Sequence, residues 1–366
     1  MKVFSGWRTL LKPVSLSTLL KGFAKKPLIG IDLGRHTVKI LRLGQKQNEL
    51  LDFGTYIMPP ETWIDEGKRD EYALTALSTL KEQLKIKQKE VAISLPAKHV
   101  ITKKIELPLM KKDELDKAIL VEAEQYIPYN LDEVNLSYQI ISEDEKEKKK
   151  MEVLIAAAKK EIVEKYVAIL TEAGFTPYVL DVENFALANA YEVCYGKDEE
   201  PVALIDLGAS KMNILVLVNN MPAFTREVPS GGIYLTRQIQ EKLKMEFQEA
   251  EKVKIESTSD ENILKGLKEA FLTVTNEWLQ EIKTALEFFE QNSGTKIKKI
   301  ILCGGSSKIV GFQEAMSKFL NKEVYNFNLF GKIHYNVERF DPAYLEYWSM
   351  QAPVAFGLAL RNKVET

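Results

Sequence analysis

The sequence predicts an α/β protein of two related lobes. One strand–turn–strand pattern occurs twice, a strand–Gly-Gly–helix element follows the second copy, and the chain is long enough for two cores. Residues 28–43 read LIGIDLGRHTVKILRL and residues 202–217 read VALIDLGASKMNILVL, with seven of sixteen positions identical and Ile-Asp-Leu-Gly in both. The copies lie 174 residues apart, far beyond the period of stacked solenoid repeats, so they point to duplicated lobes facing each other. Of the 366 residues 45% are hydrophobic, which suffices for one core per lobe.

In the first half, Leu28–Ile31 and Val38–Leu43 are buried-type strands joined by the turn Asp32-Leu33-Gly34. Leu51–Ile57 is a third strand, Tyr72–Leu84 an amphipathic helix and Val91–Leu95 a short buried strand. Residues 96–177 read as an insertion that opens with a strand over Ile101–Leu107. A helix follows, with Asp113 as its cap, Leu115, Ile119, Leu120, Ala123 and Tyr126 at helical spacing, and Pro128 as its stop. Strands over Val134–Ile141 and Glu152–Ala158 flank the charged run 143–150, which suits a solvated hairpin tip. A helix over Glu161–Ala173 closes at Gly174.

The linker Gly196–Pro201 separates the lobes. The second half repeats the strand pair around Asp206, then places helices over Tyr234–Lys244 and Leu264–Gln291, a strand over Ile300–Leu302 and a helix over Gln313–Leu320. The predicted division is a tail, 1–26; a first lobe, 27–95 and 178–200; the insertion, 96–177; a second lobe, 201–230 and 295–366; and a helical subdomain, 231–294.

Composition excludes several classes. A net charge of −2 gives no global attraction for nucleic acid. Cys194 and Cys303, each in an apolar context, make neither a disulfide framework nor a Cys-based zinc site, and suit a reducing cytoplasm. Three scattered His residues argue against a His-rich metal centre. No apolar run reaches the roughly 18 to 20 residues that cross a bilayer. The tail carries Lys2, Arg8, Lys12, Lys21, Lys25 and Lys26 with no acid, and aromatic and leucine residues between them. It fits an anionic membrane face or a tail packed on its own domain better than a signal peptide.

The repeated turns carry the chemistry. A Gly turn lets backbone N–H groups approach phosphate oxygens closely. An acid beside it repels phosphate and is placed instead to hold Mg²⁺, usually through water. Two such turns grip a phosphate tail from both sides. The run Ile300-Ile-Leu-Cys-Gly-Gly-Ser-Ser307 then offers backbone at Gly304 and Gly305 for a nucleoside.

In this order the three elements resemble the actin, Hsp70 and sugar-kinase superfamily over residues 28 to about 360. Ser94-Leu-Pro96, Ile105-Glu-Leu-Pro108, Glu122-Ala-Glu-Gln-Tyr-Ile-Pro128 and the closing Ala352-Pro-Val-Ala-Phe-Gly-Leu-Ala-Leu360 narrow the resemblance to the PilM family of type IV pilus assembly, relatives of FtsA. The resemblance implies an actin-like (ribonuclease H-like) duplicated ATPase fold with a PilM/FtsA-type inserted subdomain, ATP and Mg²⁺ as cofactors, and weak or no hydrolysis. It sets Asp32 and Asp206 near Mg²⁺, and Gly34, Thr37, Lys39, Gly208, Ser210 and Lys211 at the phosphates. Gly231 and Gly232 lie beyond the cleft, Glu251 and Lys254 reach ribose and base, and Gly304, Gly305 and Ser306 form the adenosine loop. Glu183 takes the place of the acid that orients attacking water.

Three of these positions keep a plainer reading. Glu251 and Lys254 also fit a surface i,i+3 ion pair, and Glu183 an acid that favours a helix start. The chain departs from the superfamily at Arg35, His36 and Lys211, where small hydroxyl residues are usual.

The resemblance further implies a cytoplasmic scaffold, peripheral at the inner face of the cytoplasmic membrane. Its partner would be the N-terminal tail of a PilN-like membrane protein, held in a groove between the first lobe and the insertion, with self-association left open. Two other readings are an ATP-dependent phosphotransferase or ATPase of the sugar-kinase/Hsp70 kind, which needs a base aimed at a substrate hydroxyl, and an FtsA-like filament-forming adaptor. The polar ending Arg-Asn-Lys-Val-Glu-Thr does not match the C-terminal membrane helix of the latter.

Overall fold

The computed structural model describes residues 26–63, 65–144, 149–256 and 259–363. The basic tail, apart from Lys26, lies outside the described residues, as does the centre of the charged hairpin run. In the first half β1 (Ile29–Leu33), β2 (Thr37–Leu43) and β3 (Leu50–Ile57) form an antiparallel meander, followed by α1 (Glu66–Gln83) and β4 (Glu90–Leu95). The insertion contributes β5 (Val100–Pro108), α2 (Lys112–Tyr126), β6 (Val134–Asp144) and β7 (Lys150–Lys159). The chain returns through α3 (Lys160–Glu172), β8 (Thr176–Val182) and α4 (Glu183–Tyr195).

The second half repeats the meander as β9 (Val202–Leu207), β10 (Met212–Val218) and β11 (Met221–Val228). Helices α5 (Gly232–Leu243), α6 (Phe247–Ile255) and α7 (Glu261–Ser293) follow. The chain closes with β12 (Lys299–Cys303), α8 (Phe312–Leu320), β13 (Glu323–Asn326), α9 (Pro342–Trp348) and α10 (Pro353–Ala359). The sheet orders β3-β2-β1-β4-β8 and β11-β10-β9-β12-β13 are the same topology twice. The repeat extends to single residues, since Asp32 faces Lys39 across β1–β2 and Asp206 faces Asn213 across β9–β10.

Apolar alternation sets three main cores. The first sheet packs Ile31, Ile40 and Ile93 against α1 and α3, and the second packs Ile205, Ile214 and Leu302 against α5 and α7. Between the lobes lies a third core built on α4 and α10, with Leu41, Ala92, Leu204 and Leu215 from the two sheets. These helices cross closely: a Cβ on Gly357 would lie 1.8 Å from the Ala186 carbonyl oxygen, so no larger residue fits there. A buried Asp181–Arg361 pair at 2.6 Å ties the end of α10 to β8.

The insertion has its own small core of Ile105, Leu115, Ile119, Val153 and Ile155, under the sheet β5-β7-β6. Helix α3 behaves differently. Its Val163, Tyr166 and Leu170 join the first-lobe core. Asp113 does not cap α2: the cap position is Lys111, whose N–H donates to the Glu114 carboxylate at 3.2 Å, and Asp113 lies within the first turn. Carboxylates there favour the helix N-terminus without the cap geometry.

Candidate functional site

A cleft of about 1050 Å³ separates the lobes. Its lining includes Asp32, Gly34, Thr37, Lys39, Glu183, Asp206, Gly208, Ser210, Lys211, Gly232, Glu251, Lys254, Gly304, Gly305 and Ser306. Of the residues singled out in the sequence, only Gly231 falls outside this lining. It stands immediately before α5, and its place is fixed by the same turn: Gly232 N–H donates to the Gly208 carbonyl at 3.1 Å and Ile233 N–H to Ala209 at 2.7 Å.

The first turn carries an internal ion pair, with Lys39 Nζ donating to Asp32 Oδ2 at 2.8 Å. His36 bonds Thr37 Oγ1 at 2.8 Å and lies 4.8 Å from the Trp63 ring. Burial pulls the His36 pKa down to about 4, against the pull of Glu251 and with the help of Lys254 and Lys39. The imidazole is therefore neutral near pH 7. Trp63 in turn meets Phe247 of α6, at 6.0 Å between rings, so an aromatic contact joins the lobes over the cleft.

The second turn is less neutralised. Asp206 has Asn213 opposite it in register, and no ion pair to it occurs among the described residues. Burial, then Glu183, then Asp32 push its carboxyl up to about 6. Lys211, a phosphate candidate that lines the cleft, has its ammonium held by two acids: Nζ donates to Glu183 Oε2 at 2.5 Å and to Glu227 Oε2 at 3.0 Å. Ser306 Oγ donates to the Gly208 carbonyl at 2.9 Å and so joins the Gly304-Gly305 turn to this loop. Gly304 has φ +86°, and a Cβ there would lie 2.4 Å from the Leu207 carbonyl oxygen, which explains the glycine.

On the far side, Lys254 Nζ bonds Glu251 Oε2 at 2.5 Å, Thr236 Oγ1 at 2.8 Å and the Gly232 carbonyl at 3.2 Å. Glu251 is 8% exposed, so the pair is an interior device and not a surface ion pair. Beyond Gly305 the wall is Tyr347, Met350, Gln351 and Lys308, whose ammonium sits 3.4 Å from the Tyr347 ring centre. Burial lowers the Lys308 pKa to about 8.

Sequence reasoning missed Glu227, Trp63 and this wall. Glu227 lies on β11, opposite Asn213 in register and so near Lys211, where the first lobe has Thr55 opposite Lys39. The cleft also extends towards the insertion, past Glu66, Arg69, Pro96, Lys98, His99, Ile162, Lys165 and Tyr166.

The comparisons agree with this architecture. The family described as "Type IV pilus assembly protein PilM" matches residues 30–363. A solved structure titled "PilM-PilN type IV pilus biogenesis complex" is 25% identical, with a TM-score of 0.80 over 92% of this chain and 98% of that one. The ethanolamine utilization protein EutJ from Carboxydothermus hydrogenoformans shares the fold at 15% identity, with a TM-score of 0.57 over 96% of this chain and 92% of that one. The fold is actin-like, and nucleotide binding is consistent with it. On the family match over nearly its whole described length, this chain belongs to the type IV pilus assembly protein PilM family.

Proposed function

We propose that this chain is an ATP-binding scaffold of type IV pilus assembly that holds the N-terminal tail of a PilN-like membrane protein. The observation that carries the reading is the near full-length likeness to a protein solved as a PilM–PilN complex. Among the described residues no helix is long and apolar enough to cross a membrane. In this reading a membrane-spanning partner recruits the scaffold to the inner face of the cytoplasmic membrane. The groove beside Pro96, His99, Ile162 and Tyr166, between the first lobe and the insertion, supplies apolar wall with basic rims for such a tail.

The cleft residues fit a magnesium nucleotide. At the phosphate end Asp32, Glu183, Asp206 and Glu227 outnumber Lys39 and Lys211, and Asp206 is crowded by like charge. A triphosphate alone would meet net repulsion there; a divalent cation beside Asp206 and Asp32, held through water, offsets it. Gly34, Thr37, Lys39, Gly208 and Ser210 would face the phosphates. Glu251 and Lys254 would face the ribose and base, and Gly304, Gly305 and Ser306 the adenosine. The cation would neutralise phosphate charge. The chain's own part is to orient the nucleotide and link the two lobes through it.

Calorimetry tests both halves of the proposal. MgATP should bind saturably, and so should a synthetic peptide copying the cytoplasmic N-terminus of the PilN-like protein. Absence of peptide binding at millimolar concentration would sink the scaffold reading.

A further inference from the structure

Beside the phosphate turns lies a charge cluster that nucleotide binding by itself does not require. Lys211 stands in the turn before β10, where its carbonyl accepts from Gly208 N–H at 2.9 Å, so its backbone is fixed on the phosphate loop. Its ammonium is held by two acids on different elements, Glu183 at the first residue of α4 and Glu227 on β11. All three side chains are about one-fifth exposed, at 20%, 19% and 20%. Asn213 Nδ2 adds a longer contact of 3.4 Å to the same Glu183 oxygen.

We propose that Lys211 is a positioning residue that keeps Glu183 ion-paired and holds the cleft in a nucleotide-binding, non-hydrolysing state. The inference rests on the nucleotide reading above. Hydrolysis joins a water oxygen to the terminal phosphorus, breaks that phosphorus's bond to the bridging oxygen, and hands a water proton to a carboxylate. In the nucleotide reading Glu183, which lines the cleft, would take that proton; its Oε2 accepts from Lys211 and Asn213, which ties up one carboxylate oxygen and fixes the group's orientation and charge. A lysine with one acid could exchange it for an arriving phosphate. With Glu227 as a second anchor, the ammonium stays where it is.

Titration does not release the pair near neutral pH. Burial opposes the lysine's charge, but Glu183 and Glu227 together raise its pKa above the usual value. The other groups facing the cluster are Asp206 and Asp32 from the turns, Lys39 from β2, and His99 and Lys98 at the base of the insertion. Burial, then Lys98 and Lys211, lower the His99 pKa from its usual value.

The full-length chain gives two independent readouts. In single turnover with MgATP, wild type and Lys211→Arg should retain ATP. Lys211→Thr should release phosphate at least tenfold faster, with a rate that rises with pH. Adding Glu183→Gln to Lys211→Thr should abolish the gain and the pH profile. Without nucleotide, Lys211→Met leaves Glu183, Glu227 and Asp206 crowded, so its melting temperature should rise as pH falls from 8 to 5, more than in wild type. Adding Glu183→Gln and Glu227→Gln should remove that excess slope. Equal phosphate release by wild type and Lys211→Thr, with both binding MgATP in calorimetry, overturns the inference alone. A Lys211→Met melting profile parallel to wild type also overturns it. Wild type that binds no ATP overturns the nucleotide reading and the inference resting on it, and the melting series then reports only whether the clamp exists.

Discussion

Asp206 stands opposite Asn213 on β9–β10, at the place where the first lobe sets Lys39 opposite Asp32. The two lobes thus share a backbone and differ in charge. The first turn neutralises its own acid within 2.8 Å, whereas the second leaves its acid next to Glu183 and Asp32, with a carboxyl raised to about 6. A duplicated fold has in this way produced one half-site whose acid is ion-paired and one whose acid is not.

A pH dependence of nucleotide binding follows. Below about pH 6 Asp206 takes up a proton, which a magnesium nucleotide has to displace. Affinity for MgATP should be flat from pH 8 to 7 and then fall as pH drops through 6, approaching about tenfold per pH unit where the exchange is complete. Calorimetry at four pH values checks this. Affinity unchanged between pH 7 and 5 would show that Asp206 does not sense the cation.

The same residue should trade stability for binding. Its folded-state pKa is raised from 3.8 to about 6, so the stability it contributes is present below about pH 4 and lost as pH rises through 6. Asp206→Asn should therefore stabilise the nucleotide-free protein at pH 7, by about 1–3 kcal/mol, since each tenfold change in proton affinity is worth about 1.4 kcal/mol. It should also weaken MgATP binding. Thermal melts with and without MgATP read both effects, and a variant less stable than wild type at pH 7 would contradict the argument.

The crossing of α4 and α10 gives a prediction of the opposite kind. A methyl group on Gly357 would collide with the Ala186 carbonyl in backbone that is wholly buried, and neither helix can yield without disturbing the core between the lobes. Gly357→Ala should cost about 3 kcal/mol or more, at the upper end of single substitutions. Chemical denaturation measures it; a loss below about 1 kcal/mol would mean the helices slide freely past each other.

Much of this is legible in the sequence because it is local or repeated. The Ile-Asp-Leu-Gly pair marks both meanders, and the alternation of β1, β2, β9 and β10 shows which faces are buried. Helix ends are less legible. Apolar spacing opens the first helix at Tyr72, but α1 begins at Glu66, where Asp65 accepts N–H bonds from Gly67 and Lys68 in a polar turn that hydrophobic spacing does not mark. β11 escapes because its Pro222, Thr225, Arg226 and Glu227 break the apolar pattern along one exposed edge of the sheet. With it goes Glu227, and hence the second acid that holds Lys211. Long-range contacts such as Trp63 with Phe247 depend on how the lobes close, which no local pattern encodes.

The final prediction concerns the insertion, and the packing decides how to make the cut. Removing residues 96–177 would also take α3, whose Val163, Tyr166 and Leu170 fill the first-lobe core, and the loss of peptide binding could then mean only misfolding. The independent unit is narrower, running from β5 through β7 over its own core of Ile105, Leu115, Ile119, Val153 and Ile155. Val100 pairs with Ala158 in register, so the two ends of this unit are neighbours, about 5 Å apart at adjacent strands, and a short Gly-Ser linker from His99 to Lys160 closes the gap. The shortened protein should fold and keep its MgATP affinity, since no residue of 100–159 lines the cleft. The intact chain should bind the PilN-like peptide at micromolar concentration or tighter, about −8 kcal/mol. A few apolar anchors should carry that binding, so moderate salt should change it little. Pro96, His99, Ile162 and Tyr166 stay in the shortened protein, so its peptide affinity reports what β5, α2, β6 and β7 add to the docking surface outside the cleft; the expected loss is at least tenfold. A shortened chain that folds, binds MgATP and keeps full peptide affinity would confine the docking surface to the lobes.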